Sequence, residues 1–448
     1  MPPLSTQLRS LNAVRQTTSL LLQSPQHLNH FDVHLDKLDA VVEGVLALIK
    51  RDYKTPQDIP FHSRWRHFDS ATEKRIQKLV LDKADGVDPV EKVRRIIDLF
   101  VVSVLLDAGA GAQWTYKFSD GTVLGRSEGL ALASLDWFLT GGFSDSPTPT
   151  PHRVDASALQ KVSVQALEKA FQVSPANPLV GAAGRCSLLS RLGNVLLDPV
   201  NARFFYNKEN GDYRPGNMVD YVLSKGVKNG DGKVGVSVTV LWEVVMDGLS
   251  GIWPATRTTV DGSSVGDVWP CKAVKAILKE ANGGATVGEI PKLAEESGLY
   301  FVAFHKLSQW LTYSLMEPLS LLNCTFEHMD IMTGLAEYRN GGLFVDFEVI
   351  TLKPETKARG LAASTAGSTV PRFEVFDDAV VEWRGLTVAL LDLVGARVQK
   401  VLGMTKEELP LVKVLEAGTW KLGREIAAKL RPESKGPPID IVSDGTVF

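Results

Sequence analysis

Residues 375–402 read VFDDAVVEWRGLTVALLDLVGARVQKVL, one long run of helical periodicity with Asp377 or Asp378 placed to cap its start. The pattern resumes over Lys406–Leu430. Working back along the chain, Leu35, Leu38, Val42, Val45 and Ile49 share one helical face. Asp88-Pro89 reads as an N-cap followed by proline at the first helical position, and Val93, Ile96, Ile97, Phe100, Val101 and Val104 give that helix a broad apolar side. Further helical windows cover Ser157–Phe171, Ser187–Leu197, Val236–Leu249, Val268–Glu280 and Phe301–Leu322. Strand signals are few. Thr115–Phe118 and Thr122–Leu124 flank Ser119-Asp120-Gly121, a hairpin turn, and Leu343–Leu352 fits a strand or a helix start. No βαβ rhythm is present, so the expected fold is mainly α, a large helical domain with a small β-hairpin element.

A chain of 448 residues exceeds one ordinary core. The expected division is an N-terminal helical region over 1–145, a main helical domain over 155–432 and a flexible tail over 433–448. The stretch 141–153, with Ser-Pro-Thr-Pro-Thr-Pro, reads as a linker or stiff loop, and 281–288 is glycine-rich. Lys353–Arg372, rich in Ala, Gly, Ser and Thr, reads as a mobile lid or a plain insertion. The formal net charge of -3 argues against a nucleic-acid partner. Three scattered cysteines build neither a disulfide framework nor a cysteine-rich metal site, and suit a reducing, cytoplasmic setting. The apolar stretch Ile96–Leu106 is broken by Asp98 and Ser103, so no membrane span is expected. Residues 1–31 have the composition of a transit peptide, but Leu11, Val14, Thr18 and Leu21 or Leu22 favour an ordinary first helix.

Three motifs mislead. Gly125-Arg126-Ser127-Glu128-Gly129 matches a nucleophile elbow, yet lacks the parallel sheet that elbow needs; Ser127 reads better as a helix N-cap. Gly109-Ala110-Gly111 follows a helix and lacks the third glycine of a dinucleotide site. His27, His30 and His34 read as solvated or packing histidines, and neither a metal nor another cofactor is expected.

The chemistry is expected in two neighbouring stretches. Along residues 304–319, FHKLSQWLTYSLMEPL, the side chains of His305, Gln309, Tyr313 and Glu317 form a drifting row on one helical face, with Lys306 and Trp310 beside it. The row suits a pocket wall, or a helix buried on all sides with its polar groups satisfied. Pro318 is expected to bend or end the helix near Ser314. Along 333–346, TGLAEYRNGGLFVD, Glu337, Tyr338 and Arg339 precede an Asn340-Gly341-Gly342 turn, and Asp346 sits in an apolar frame. Arg339 offers a fork for phosphate or carboxylate, or pairs with Glu337. Glu382 and Arg384 form a third polar island on the last long helix, or an internal ion pair.

LLDAGAGAQWTY, GRSEGLALAS, GDVWP, FHKLSQWLTYSLMEPL, TGLAEYRNGGLFVD and VEWRGLTVALLD together resemble the uracil catabolism protein 4 family of fungi and bacteria. The resemblance implies a pathway that degrades uracil through a ribosylated intermediate and releases urea, with a cyclohydrolase-II-like enzyme acting alongside. Residues 343–349, LFVDFEV, are also similar to the aspartate-bearing segment of queuosine salvage nucleosidases, helical relatives of DNA glycosylases. By that likeness Asp346 is the catalytic carboxylate of an N-ribosyl hydrolase acting on a small ribosyl substrate. Glu317, Glu337 or His305 is then the acid that protonates the leaving nitrogen. Lys306, Arg339 and Asn340 are expected to hold a ribose 5′-phosphate, Trp310 and Tyr313 to stack, and Gln309, Tyr338, Glu382 and Arg384 to complete the binding set. The rival expectation is a non-catalytic partner of the cyclohydrolase-II-like enzyme.

Overall fold

The computed structural model describes residues 2–70, 73–84, 86–107, 109–111, 113–146, 152–253, 257–281 and 288–442. The Ser-Pro-Thr-Pro-Thr-Pro stretch beyond Ser146, the glycine-rich 282–287 and the end of the expected tail, 443–448, lie outside the described residues. The fold is mainly α, with short strands in pairs and one triplet. Among the described residues no helix is long and apolar enough to cross a membrane.

The chain forms two compact units that interleave in sequence, where a division near residues 145–155 was expected. Unit one comprises Met1–His62, Ala255–Gln309 and Met329–Phe448; unit two comprises Ser63–Pro254 and Trp310–His328. The boundary falls inside one helix, Lys306–Ser320.

Unit one is built on the 25-residue helix Asp378–Leu402, which starts where Asp377 accepts the Ala379 amide. Leu11–Gln23 packs along it, burying Leu11, Val14, Thr18 and Leu21. Gly385 permits the approach: a Cβ there would lie 2.3 Å from Leu21 Cδ1. Arg15 forks onto Asp392 at 2.7 and 3.2 Å. Phe31–Val33 pairs antiparallel with Ile350–Leu352, and Val268–Pro270 with Phe301–Ala303. Within 353–372 a helix forms over Pro354–Ala362, with proline at its first position and Gly360 against Phe373 and Pro371. Asp440–Val442, inside the expected tail, pairs with Arg372–Glu374, and Ile439 is buried.

Unit two centres on Pro89–Leu105, capped by Asp88 as its sequence predicts, with Arg126–Leu139 and Ala182–Leu197 around it. The hairpin Thr115–Lys117 with Val123–Gly125 turns through Gly121 at φ 87°. Ser127 does not cap the following helix. Its hydroxyl is bound to both oxygens of Asp107 at 2.6 and 2.7 Å, beneath the fully buried Arg64.

Candidate active site

Helix Tyr338–Asp346 organises the site in unit one. Its start is set by Glu337, whose carboxylate accepts the Arg339 and Asn340 amides at 2.7 and 2.5 Å. Asn340-Gly341-Gly342 is not the expected turn; it lies buried within the helix. The two glycines serve close packing. A Cβ on Gly341 would lie 2.8 Å from the Trp383 indole, and one on Gly342 2.8 Å from Pro438. Gly423 meets the Arg339 carbonyl in the same way, at 2.3 Å from its ideal Cβ.

Glu337 is nearly fully buried. Burial pushes its carboxyl above the ordinary range, and the two amides and the nearby Lys306 and Arg339 charges only partly offset that. Arg339 is itself buried; it donates to the Lys435 carbonyl at 2.9 Å and lies 5.0 Å from the Tyr338 ring centroid.

A second carboxylate, missed in the sequence, is tied to the same residues. Asp267 accepts both terminal nitrogens of Arg384 at 2.8 and 2.7 Å, the Trp269 indole at 2.7 Å and the Lys306 amide at 3.1 Å. Arg384 lies 4.0 Å from the Phe304 ring centroid. Burial alone would raise the Asp267 pKa, but the charge and fork of Arg384, with the indole and amide, hold it well below the carboxylate range. The signal was present in Gly266-Asp267-Val268-Trp269-Pro270: an acid framed by apolar and aromatic residues after a glycine at φ 73°.

His305 begins the neighbouring helix at φ 48°, a conformation costly for a non-glycine residue. Its Nε2–H donates to the Leu8 carbonyl at 2.8 Å, and burial lowers its pKa, favouring neutral imidazole. The helix continues through Pro318 to Ser320, so the predicted break near Ser314 does not occur. Gln309 is committed to Thr333, donating to its hydroxyl and accepting its amide, each at 2.9 Å. Trp310, Tyr313 and Glu317 belong to unit two. Trp310 packs edge-on to His67, Tyr313 is buried, and Glu317 pairs with Arg66 at 2.8 Å and binds Ser63. The expected row is thus divided between the two units.

Asp346 lies at the other end of its helix, held by a bidentate pair with Arg431 at 2.8 and 2.6 Å. At 1.5 Å rise per residue it stands about 13 Å along the axis from Glu337, too far for the two to flank one glycosidic bond. Glu382 takes no part in this cluster. It accepts the Asn29 and His30 amides at 2.7 and 2.9 Å, and burial, with Asp378 nearby, raises its pKa. Among the expected residues, the structure brings together Glu337, Tyr338, Arg339, Asn340, Lys306, His305 and Arg384.

A family model described as "Protein of unknown function (DUF1688)" matches residues 7–448. The chain belongs to this family. Uracil catabolism protein 4 of Lachancea kluyveri is 41% identical over 454 residues, covering 98% of both chains. Protein urg3 of Schizosaccharomyces pombe is 39% identical over 448 residues, again covering 98% of both. The matched span includes both units and every candidate residue named above.

Proposed function

We propose that the chain acts in uracil catabolism as an N-ribosyl hydrolase on ribosylurea or its 5′-phosphate, releasing urea. The relatives' names support the pathway. The observation that carries the reaction is Glu337, a buried carboxyl with a raised pKa beside Arg339 and Lys306. Asp267, ionised and fixed by Arg384, stands close by on the Lys306 amide. Two carboxyls whose surroundings push their pKa values apart are the usual arrangement for acid–base work.

In the proposed step the C1′–N bond breaks as Glu337 passes its proton to the leaving urea nitrogen. Water adds at C1′ as its hydroxide part, and its remaining proton returns to Glu337. Urea leaves poorly as an anion, so the acid carries much of the rate. Arg339 and Lys306 hold a 5′-phosphate where one is present. Asp267 is a positioning residue, holding Lys306 and Arg384 in place.

Purified chain is expected to release urea from ribosylurea or ribosylurea 5′-phosphate. Glu337→Gln should lower kcat by about 10²–10⁴-fold with far-UV circular dichroism unchanged. A folded chain that releases no urea from either compound, or from uridine or UMP, overturns the reading.

A further inference from the structure

His30, Asp378 and Glu382 meet in unit one at the start of the long helix. One ligand atom from each lies within 4.8 Å of the others. The sequence placed His30 with His27 and His34, but the structure separates the three. His27 pairs with Glu280, and His34 binds Thr351 at 3.2 Å. His30 instead turns toward the long helix, where Asp378 and Glu382 share a face at i, i+4 spacing.

We infer that His30, Asp378 and Glu382 form a binding site for a divalent cation of the Zn²⁺ or Mn²⁺ class. One imidazole with two carboxylates is a donor set those ions accept, and three protein ligands leave a coordination position for water. The imidazole is already oriented for the task. Its Nδ1 is held by Thr356 Oγ1 at 2.9 Å, directing Nε2 to Asp378 Oδ2 at 3.1 Å. Such an outer hydrogen bond on the far ring nitrogen is typical of metal-binding histidines.

Charge supplies the independent observation. The Glu382 side chain is fully buried beside a second carboxylate. Among the described residues no lysine or arginine nitrogen lies within 4.0 Å of the Glu382 or Asp378 carboxylate; the nearby Arg359 is paired with Asp377, and Lys353 binds the Leu28 carbonyl. The amides of Asn29, His30 and Lys272 satisfy hydrogen bonds without supplying a unit charge. The helix dipole favours Asp378 in the first turn, but Glu382 lies a turn deeper, where that effect fades. Among the described residues the one candidate cation on this acid pair is His30, 3.1 Å from Asp378; two carboxylates against at most one positive charge are costly in a buried setting, and a divalent ion removes the imbalance. The His30 and Asp378 side chains remain 16% and 13% exposed, which gives an ion access.

The test uses the full chain, stripped with a chelator, reloaded with Zn²⁺ or Mn²⁺, dialysed and analysed by elemental mass spectrometry. About one ion per chain is expected in the wild type and none in His30→Ala or Glu382→Gln. Thr356→Val should weaken binding about 10–100-fold. Added ion should raise the Tm of the wild type and not that of Asp378→Asn, whose partly exposed carboxylate makes misfolding a lesser concern. A folded wild type that retains no ion, or variants that retain as much as the wild type, overturns the site. None of these readouts depends on urea release, so the hydrolase proposal and the ion site fail separately.

Discussion

Each unit buries an aspartate against an arginine, and the two pairs behave oppositely. In unit one Asp267 takes both terminal nitrogens of Arg384, one on each oxygen, with the Trp269 indole and Lys306 amide in support. In unit two Asp98 is 0% exposed and shares its cation. Arg214 reaches it through Nε and Nη2 on a single oxygen, at 2.9 and 2.6 Å, and gives Nη1 to Glu91 at 2.9 Å. The Gly216 and Val154 amides complete its shell at 2.6 and 3.0 Å. Burial outweighs these partners and lifts Asp98 to about 6, whereas the charge and two-point fork of Arg384 drive Asp267 far down. The pairing of residue types does not decide the charge state; burial and the geometry of the fork do.

The largest effect should come from breaking the Asp267–Arg384 pair. Asp267→Ala removes the bidentate partner of Arg384, which is buried against Phe304, and is expected to cost about 3–5 kcal/mol in denaturant unfolding. A cost below about 1 kcal/mol would show that the fork contributes little.

The pH dependence sharpens the contrast, because the two signs differ. Asp98 has a folded pKa of about 6, above the value near 3.9 expected unfolded. The folded state therefore binds this proton more tightly, and the carboxyl's contribution to stability grows as pH falls from about 7 to about 4. Asp267 is the reverse: its folded pKa is depressed, so its contribution is present above about 4 and is lost as pH falls further. The stability advantage of wild type over Asp98→Asn should widen on acidification between pH 7 and 4. Its advantage over Asp267→Asn should shrink below about pH 4. Parallel curves for the two variants would remove the distinction.

What could be read from the sequence was whatever is set locally. Asp88 and Asp377 cap the helices that follow them, and Gly121 turns its hairpin, because those signals act within a few residues. Gly341 and Gly342 were misread because their reason is tertiary: a glycine that admits Trp383 or Pro438 looks, in sequence, like one that makes a turn. The stretch 353–372 was misread similarly, since small residues that pack a short helix resemble a loop. At the site, Glu337 and Arg339 stood out as neighbours. Asp267 did not, because Arg384 lies far along the chain, and His30 looked solvated until the fold set it against Asp378 and Glu382.

The same close packing gives a smaller test in unit one. Gly423→Ala places a methyl 2.3 Å from the Arg339 carbonyl, a backbone atom that cannot swing aside. The helix carrying Arg339 must shift, at about 1–3 kcal/mol. Urea release should fall with stability, because that helix start also holds Glu337. Its counterpart in unit two is Gly216→Ala, whose methyl would lie 2.4 Å from the Arg94 carbonyl. It should destabilise by a similar amount and loosen the amide that binds Asp98.

The smallest expected effect discriminates best between the two carboxylates of helix Tyr338–Asp346. Asp346 is bound by both terminal nitrogens of Arg431, whose Nε donates to the Gly436 carbonyl at 2.8 Å, so the pair anchors the segment after the last helix. The Arg431 side chain is 18% exposed and that of Asp346 4%, so the pair is largely shielded from solvent. Asp346→Asn keeps one of the two hydrogen bonds, so it should cost about 1–2 kcal/mol and leave kcat/KM for urea release unchanged, because a carboxylate already claimed by a guanidinium has little charge to lend a developing oxocarbenium ion. Glu337→Gln should do the opposite, sparing the fold and removing turnover. If Asp346→Asn instead abolishes turnover in a folded chain, the likeness to the nucleosidases identifies the acting residue correctly, and Glu337 is only the cap that starts its helix.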